Sequence, residues 1–163
     1  MKMIVLFEGL TGFLFVLMYC VAGIANGAHN MAFFYDQEVQ DRAVESGLIT
    51  KEAIARNKKR FVYAGILPYF IYAIVCVYVI NKANGFIEPF VQLTAILLIE
   101  GILDRCFIDW YWVNHSKAWI IAGTEDLRPY IKRKDWISKL LGTFIGFPLI
   151  AAIICGIISL LWK

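Results

Sequence analysis

Four apolar stretches, each long enough for a helix to cross a bilayer, occupy more than half of this chain, at residues 3–25, 61–80, 90–113 and 137–162. A crossing takes about 20 mainly apolar residues. With 60% hydrophobic residues and a mean hydropathy of +0.65, a soluble fold of 163 residues could not hide this surface in one core. The composition predicts an all-α integral membrane protein: a single polytopic domain, a four-helix bundle with two long cytoplasmic connections holding short amphipathic helices. The first stretch begins at residue 3, contains Glu8 and outruns a signal-peptide core, so it reads as a retained helix. Pro68 and Pro148 fall inside the second and fourth spans, where neighbouring groups can satisfy freed carbonyls.

Basic residues set the expected orientation. Arg42, Lys51, Arg56, Lys58, Lys59 and Arg60 lie between spans one and two. Lys117, Arg128, Lys132, Arg133, Lys134 and Lys139 lie between spans three and four or at the edge of span four. The opposite side holds Lys2, Lys82 and Lys163. Twelve against three puts both long connections in the cytoplasm and both termini outside, with the cell membrane as the expected location. A net charge of +3, with basic residues flanking apolar segments, gives no support to a nucleic-acid partner.

The connections are patterned. In residues 31–46, Phe33, Phe34, Val39 and Val44 alternate with charged side chains, and Gly47 then offers a helix stop. Thr50 is placed to cap a helix with Glu52 in its first turn, running into span two. In the second connection, Pro129 disfavours helix at Arg128 and is suited to start a new one. The cytoplasmic helical segments are expected at about 31–60 and 115–136. Each connection ends in a basic run followed by a span with Gly just before Pro, as a parallel pseudo-repeat would have.

Ionisable residues inside a span are costly and face the bundle interior or a wet cavity. Span three carries Glu100, Asp104, Arg105 and Asp109, followed by His115. At about 100° per residue, Glu100, Asp104, Tyr111 and His115 form one stripe, and Arg105 with Asp109 lies on another face. The second pair is spaced to neutralise itself. Two close carboxylates in a low dielectric cannot readily both ionise, so a shared proton or a bound cation is expected at Glu100 and Asp104. On span one, Tyr19, Asn26 and Asn30 share a face and His29 sits at the inner end, an opposing wall for a pocket open toward the cytoplasmic leaflet. Glu8 lies toward the outer surface, where it could snorkel.

Structural readings compete with these. Trp110, Trp112, Trp119 and Trp136 suit an interfacial belt, and Gly142 with Gly146 suits helix packing. The turn Thr124-Glu125-Asp126 suits a cap, and the cysteines Cys20, Cys76, Cys106 and Cys155 suit buried thiols. No nucleotide, hydrolase or metalloprotease motif is present, and nothing names a cofactor. Glu100, Asp104 and His115 are hard-metal residue types but make an incomplete ligand set, so no metal is assigned.

The expected function is a small membrane-embedded enzyme or ligand-binding protein acting on a lipophilic molecule. Glu100 or Asp104 would serve as acid or base and His115 or His29 as proton relay, with Arg105, Asp109, Tyr111, Asn26, Asn30 and Tyr19 binding. The alternatives are a proton- or cation-coupled small transporter, for which four helices call for a homo-oligomer, and an accessory subunit of a membrane complex. Residue types alone leave catalysis undecided.

Overall fold

The computed structural model describes residues 2–161; Trp162 and Lys163, counted above at the end of the fourth stretch, lie outside the described residues. Every regular element among them is helical. In chain order these are α1 (Lys2–Ile24), a 3-10 segment (Ala28–Phe34), α2 (Gln37–Glu45), α3 (Lys51–Phe61), α4 (Leu67–Val75), α5 (Ile87–Leu103), two short 3-10 turns (Lys117–Trp119 and Glu125–Leu127) and α6 (Arg133–Leu161), with π-helical stretches between some of them. π-Helical turns at Val62–Ile66 and Cys76–Ile80 join α3 and α4 into one continuous helix, Lys51–Ile80. α5 likewise continues as a π-helix over Asp104–Val113.

Three helices are long and apolar enough to cross a membrane: Met3–Ile24, Lys51–Ile80 and Arg133–Leu161. Their outward faces carry large exposed apolar side chains such as Met18, Tyr63, Ile153 and Leu160. Continuous apolar surface of this kind suits a non-aqueous surround. The third expected span does not meet the same composition standard. Residues 87–104 already contain Glu88, Glu100 and Asp104, and every later stretch of 18 within this helix also holds at least three charged residues.

That helix is the centre of the bundle. α5 packs at length against α1 on one side and α6 on the other, with Leu93, Ile96 and Leu97 fully buried. Glycines allow the close approach, Gly9 and Gly101 at the two α5 interfaces and Gly12 where α1 meets α4. A Cβ on Gly9 would lie 2.7 Å from Ile99, one on Gly12 2.6 Å from Tyr69, and one on Gly101 2.5 Å from Phe147. Gly142 and Gly146, expected to serve packing, instead face open space on the outside of α6. At the uncapped end, Asn81 Nδ2 donates to Glu8 Oε2 at 3.0 Å and to Gln92 Oε1 at 2.9 Å, tying α1 to α5. Glu8 is thus buried in a polar network and does not snorkel.

The two long connections fold together into a cap with its own core. Thr50 Oγ1 accepts the Ala53 amide at 3.2 Å to start α3, and Gly47, at φ +72°, closes the turn after α2. Both follow the expected start and stop signals. Pro129 does not begin a helix; α6 starts only at Arg133. Between them, Asn114 receives the Ile131 amide on Oδ1 at 3.0 Å and returns Nδ2–H to the Ile131 carbonyl at 2.9 Å, pinning this irregular stretch to the end of the preceding helix. The Tyr35 hydroxyl donates to the Trp119 carbonyl at 2.7 Å, and burial pushes the Tyr35 phenol up, so it remains a donor. Thr124 is fully buried, its hydroxyl between the Ile121 carbonyl and the Tyr130 hydroxyl, at 2.8 Å from each.

Ion pairs clasp the two connections from outside: Arg42 to Asp126 at 2.5 Å and Lys132 to Asp36 at 3.7 Å. The hydrogen bond from Arg42 holds the Asp126 carboxyl below the usual carboxylate range. A lowered folded-state value stabilises at pH above the unfolded value and is lost as pH falls through the folded one. Asp126→Asn is therefore expected to lower the thermal midpoint at neutral pH and low salt. The gap to the parent protein should close as pH drops below the carboxylate range or salt rises, measured by melting curves in detergent.

Candidate functional site

The side chains of interest come from the junction where α5 turns π-helical. A π-helix bonds i to i+5, so it is wider than an α-helix and its side chains step round by a smaller angle. Such turns also displace carbonyls from the regular ladder. Here Trp136, near the start of α6, donates its Nε1–H to the Arg105 carbonyl at 2.6 Å.

Arg105 lies between two carboxylates. Its Nη1 is 3.1 Å from Asp104 Oδ2 and 2.5 Å from Asp109 Oδ2. Lys139, from α6, adds its Nζ at 3.6 Å from Asp109 Oδ2. The anticipated division into two stripes gives way to one network, and Asp104 has a cation at hand. Two causes combine: the long Arg105 side chain reaches its sequence neighbour whatever the helical angle, and the wider winding abolishes the 100° spacing after Asp104. Tyr111 and His115 are carried away from the carboxylates. Their rings stack on each other at 5.6 Å, both residues are exposed, and His115 Nδ1 lies 2.9 Å from the Tyr111 carbonyl.

Glu100, one α-helical turn before Asp104, is 5% exposed. Among the described residues no protein group donates a hydrogen bond to it. It lines a cavity of about 280 Å³ together with Asp104, Arg105 and Asp109. Tyr19 from α1, Phe61, Tyr69 and Phe70 from the α3–α4 helix, and Phe147 from α6 build an aromatic wall around these charges. Tyr69 spends its hydroxyl on the Ile96 carbonyl, 3.5 Å away.

The cap closes one end of the cavity with Phe34, Tyr35, Trp119 and Ile131. The sides are formed by α1 and α5, which pack closely, and by α4 and α6, which share no extended packing. Ile66 and Phe70 on one helix and Phe147 and Ile150 on the other line the cavity between these two helices.

The remaining sequence candidates lie elsewhere. Asn26 and Asn30, with Tyr19 and Arg60, line a separate depression on the cap side of α1. Asn30 Nδ2 donates to the Asn26 and Gly27 carbonyls at 3.3 Å each, which satisfies the end of α1. His29 lines neither cavity. Among the described residues no three His, Cys, Asp or Glu side chains are grouped to hold a metal ion. Cys20, Cys76 and Cys155 are buried free thiols; Cys106 is exposed, on the far side of its helix turn.

Sequence reasoning missed four contributors. Trp119, expected in an interfacial belt, is 1% exposed and forms the cavity floor. Tyr35 and Phe147 were not weighed as site residues, and Lys139 was counted only toward the orientation; each reaches the site from a different segment, and no local pattern marks such a contribution. With the geometry in place, the fold defines a helical bundle with three helices capable of spanning a membrane and a charged, aromatic-walled internal cavity. No protein family, curated protein or solved structure matches the chain.

Arg105 is the neutralising centre, so its removal leaves Asp104 buried without a partner and Asp109 with Lys139 alone. Arg105→Leu is expected to destabilise by about 3–5 kcal/mol, as for other broken buried pairs. Adding Asp104→Asn and Asp109→Asn should recover much of the loss. Thermal midpoints of the single and triple variants in detergent measure this; equal losses in both would contradict the assignment.

Proposed function

We propose that the chain is a four-span integral membrane protein that takes a lipophilic molecule from the inner leaflet into the cavity at Glu100. The fourth crossing is residues 87–113, about 40 Å long at the usual helical rise if wound as an α-helix throughout. Its charges turn toward neighbouring helices, so α1 and α6 shield them from lipid. The twelve basic residues in and beside the cap favour a cytoplasmic cap with both termini outside, in the cell membrane. A reporter enzyme active only outside should work when fused to the C-terminus; activity of a cytoplasmic-only reporter there would overturn the orientation.

The observation that carries the ligand reading is Glu100. A buried carboxylate with no protein partner is costly, so its presence on a cavity wall calls for a guest or a proton. The guest enters sideways through the gap bordered by Ile66, Phe70, Phe147 and Ile150, because the cap blocks the aqueous route. Glu100 and Asp104 are the groups within reach to exchange a proton with it. His115 and His29, being outside the cavity, are unsuited to a direct relay.

Photolabelling tests this reading. A small neutral aryl diazirine in nanodiscs should label Glu100 and the cavity wall saturably. Ile66→Trp and Ile150→Trp, which fill the portal, should suppress that labelling with little change in melting temperature. Label confined to lipid-facing positions such as Ile153 and Leu160 would refute the cavity as a ligand site.

A further inference from the structure

Resting on the reading of the cavity as a ligand site, we infer that its guest is a lipophilic organic cation, held by Glu100 within the aromatic wall. Three carboxylates, Glu100, Asp104 and Asp109, line the cavity with a single cation, Arg105. Arg105 is engaged by Asp104 at 3.1 Å and by Asp109 at 2.5 Å, and Lys139 supplies the second positive charge to Asp109 at 3.6 Å. Two cations offset two aspartates. Glu100 is left as the one acid of the three with no cation in ion-pair contact, 5% exposed, and it becomes the surplus negative charge when a cationic guest displaces its proton.

The surroundings select the kind of cation. A hard metal ion needs several oxygen ligands. Around Glu100 the wall is instead ring carbon from Tyr19, Tyr69, Phe70 and Phe147, and the Tyr69 hydroxyl is turned to a backbone carbonyl. Aromatic faces attract organic cations, most strongly where water is excluded. An anionic guest would meet three carboxylates on the wall, with only the partnerless Arg105 Nε and Trp119 Nε1 donors to offset them. The lateral gap admits apolar bodies from lipid and gives the charged head no need to cross the cap. The pairing of one unneutralised acid with a ring-lined chamber therefore fits an amine or a delocalised onium ion with bulky apolar groups.

Tetraphenylphosphonium and tetraphenylborate, nearly identical in size and opposite in charge, separate these outcomes. Equilibrium dialysis with protein-loaded nanodiscs, corrected for empty nanodiscs, should show saturable uptake of the phosphonium only. Glu100→Gln should weaken it at least about tenfold, a change of about 1.4 kcal/mol, whereas Glu88→Gln at the opposite end should leave it unaltered. Melting temperatures check that both variants fold. A second measurement needs no variant: the phosphonium should protect Glu100 of the parent protein from the neutral diazirine, and the borate should not. Equal protection by both ions, or preference for the borate, overturns the cation assignment while leaving the cavity as a ligand site. Failure of the diazirine itself to label the cavity removes both readings.

Discussion

Charge burial inside an apolar bundle is the constraint around which this molecule is built. Glu100, Asp104, Arg105 and Asp109 lie within ten residues of one helix, which must pass through the middle of the fold. Isolated charges there would be prohibitive, so the helix is placed where others enclose it and where Arg105 can bridge two carboxylates. The bridge depends in turn on the wider winding after Leu103 and on α6, which contributes Trp136 to a displaced carbonyl and Lys139 to the outer aspartate. The register of α6 against α5 is thereby linked to the electrostatics. Gly101 lets the two helices approach at that level, its position too close to Phe147 and Thr143 for a larger residue without movement.

A second constraint separates the molecule into two environments. Away from the cap, large apolar side chains cover the outside while Leu93, Ile96 and Leu97 pack inside with small residues such as Ala73 and Ala151, so the stabilising contacts are close helix packing and hydrogen bonds. In the cap the arrangement is that of a water-soluble protein: Tyr35, Val39, Ala43, Trp119 and Tyr130 are inside, and Arg42, Asp126 and Lys132 are outside. The long Lys51–Ile80 helix belongs to both, charged in its first half and apolar in its second. Its π-turn at Val62–Ile66 falls at the transition, beside the cavity wall formed by Phe61 and Ile66.

What could be read in the sequence is what depends on neighbours along the chain. Apolar length locates α1, α6 and the apolar end of the Lys51–Ile80 helix to within a few residues, while the charged start of that helix is marked by the Thr50 cap, and Gly47 marks a local stop through its own backbone geometry. The candidate site was legible as a set of acids and an arginine, because ionisable residues in apolar sequence are conspicuous. Its geometry was not. A constant 100° step holds for an α-helix, and nothing local announces that residues 104–113 wind differently. Tyr111 and His115 were placed on the acid stripe for that reason. Trp119, Tyr35 and Phe147 arrive from segments distant in sequence, and only folding shows that they meet.

The open side of the bundle follows from the same packing. α5 is flanked by α1 and α6, and the α3–α4 helix lies against α1, so a fourth close interface between α4 and α6 is the one left unmade. Closing it would bring Phe70 and Phe147 together and squeeze the space in front of Glu100. The bundle keeps that space because the aromatic rings and the charged network hold their walls apart: Trp119 and Tyr35 brace the cap end, and the Arg105 bridge fixes the acid face. A cavity held open by rigid groups on every side but the one between α4 and α6 is a costly feature for a small protein, since lining atoms lose contacts they would otherwise make. Stability alone would favour filling it with a larger residue at Ile66 or Ile150 and replacing Glu100 with an apolar side chain. The chain does neither, and both departures are what the proposed guest, supplying the lost contacts and the missing charge, would require.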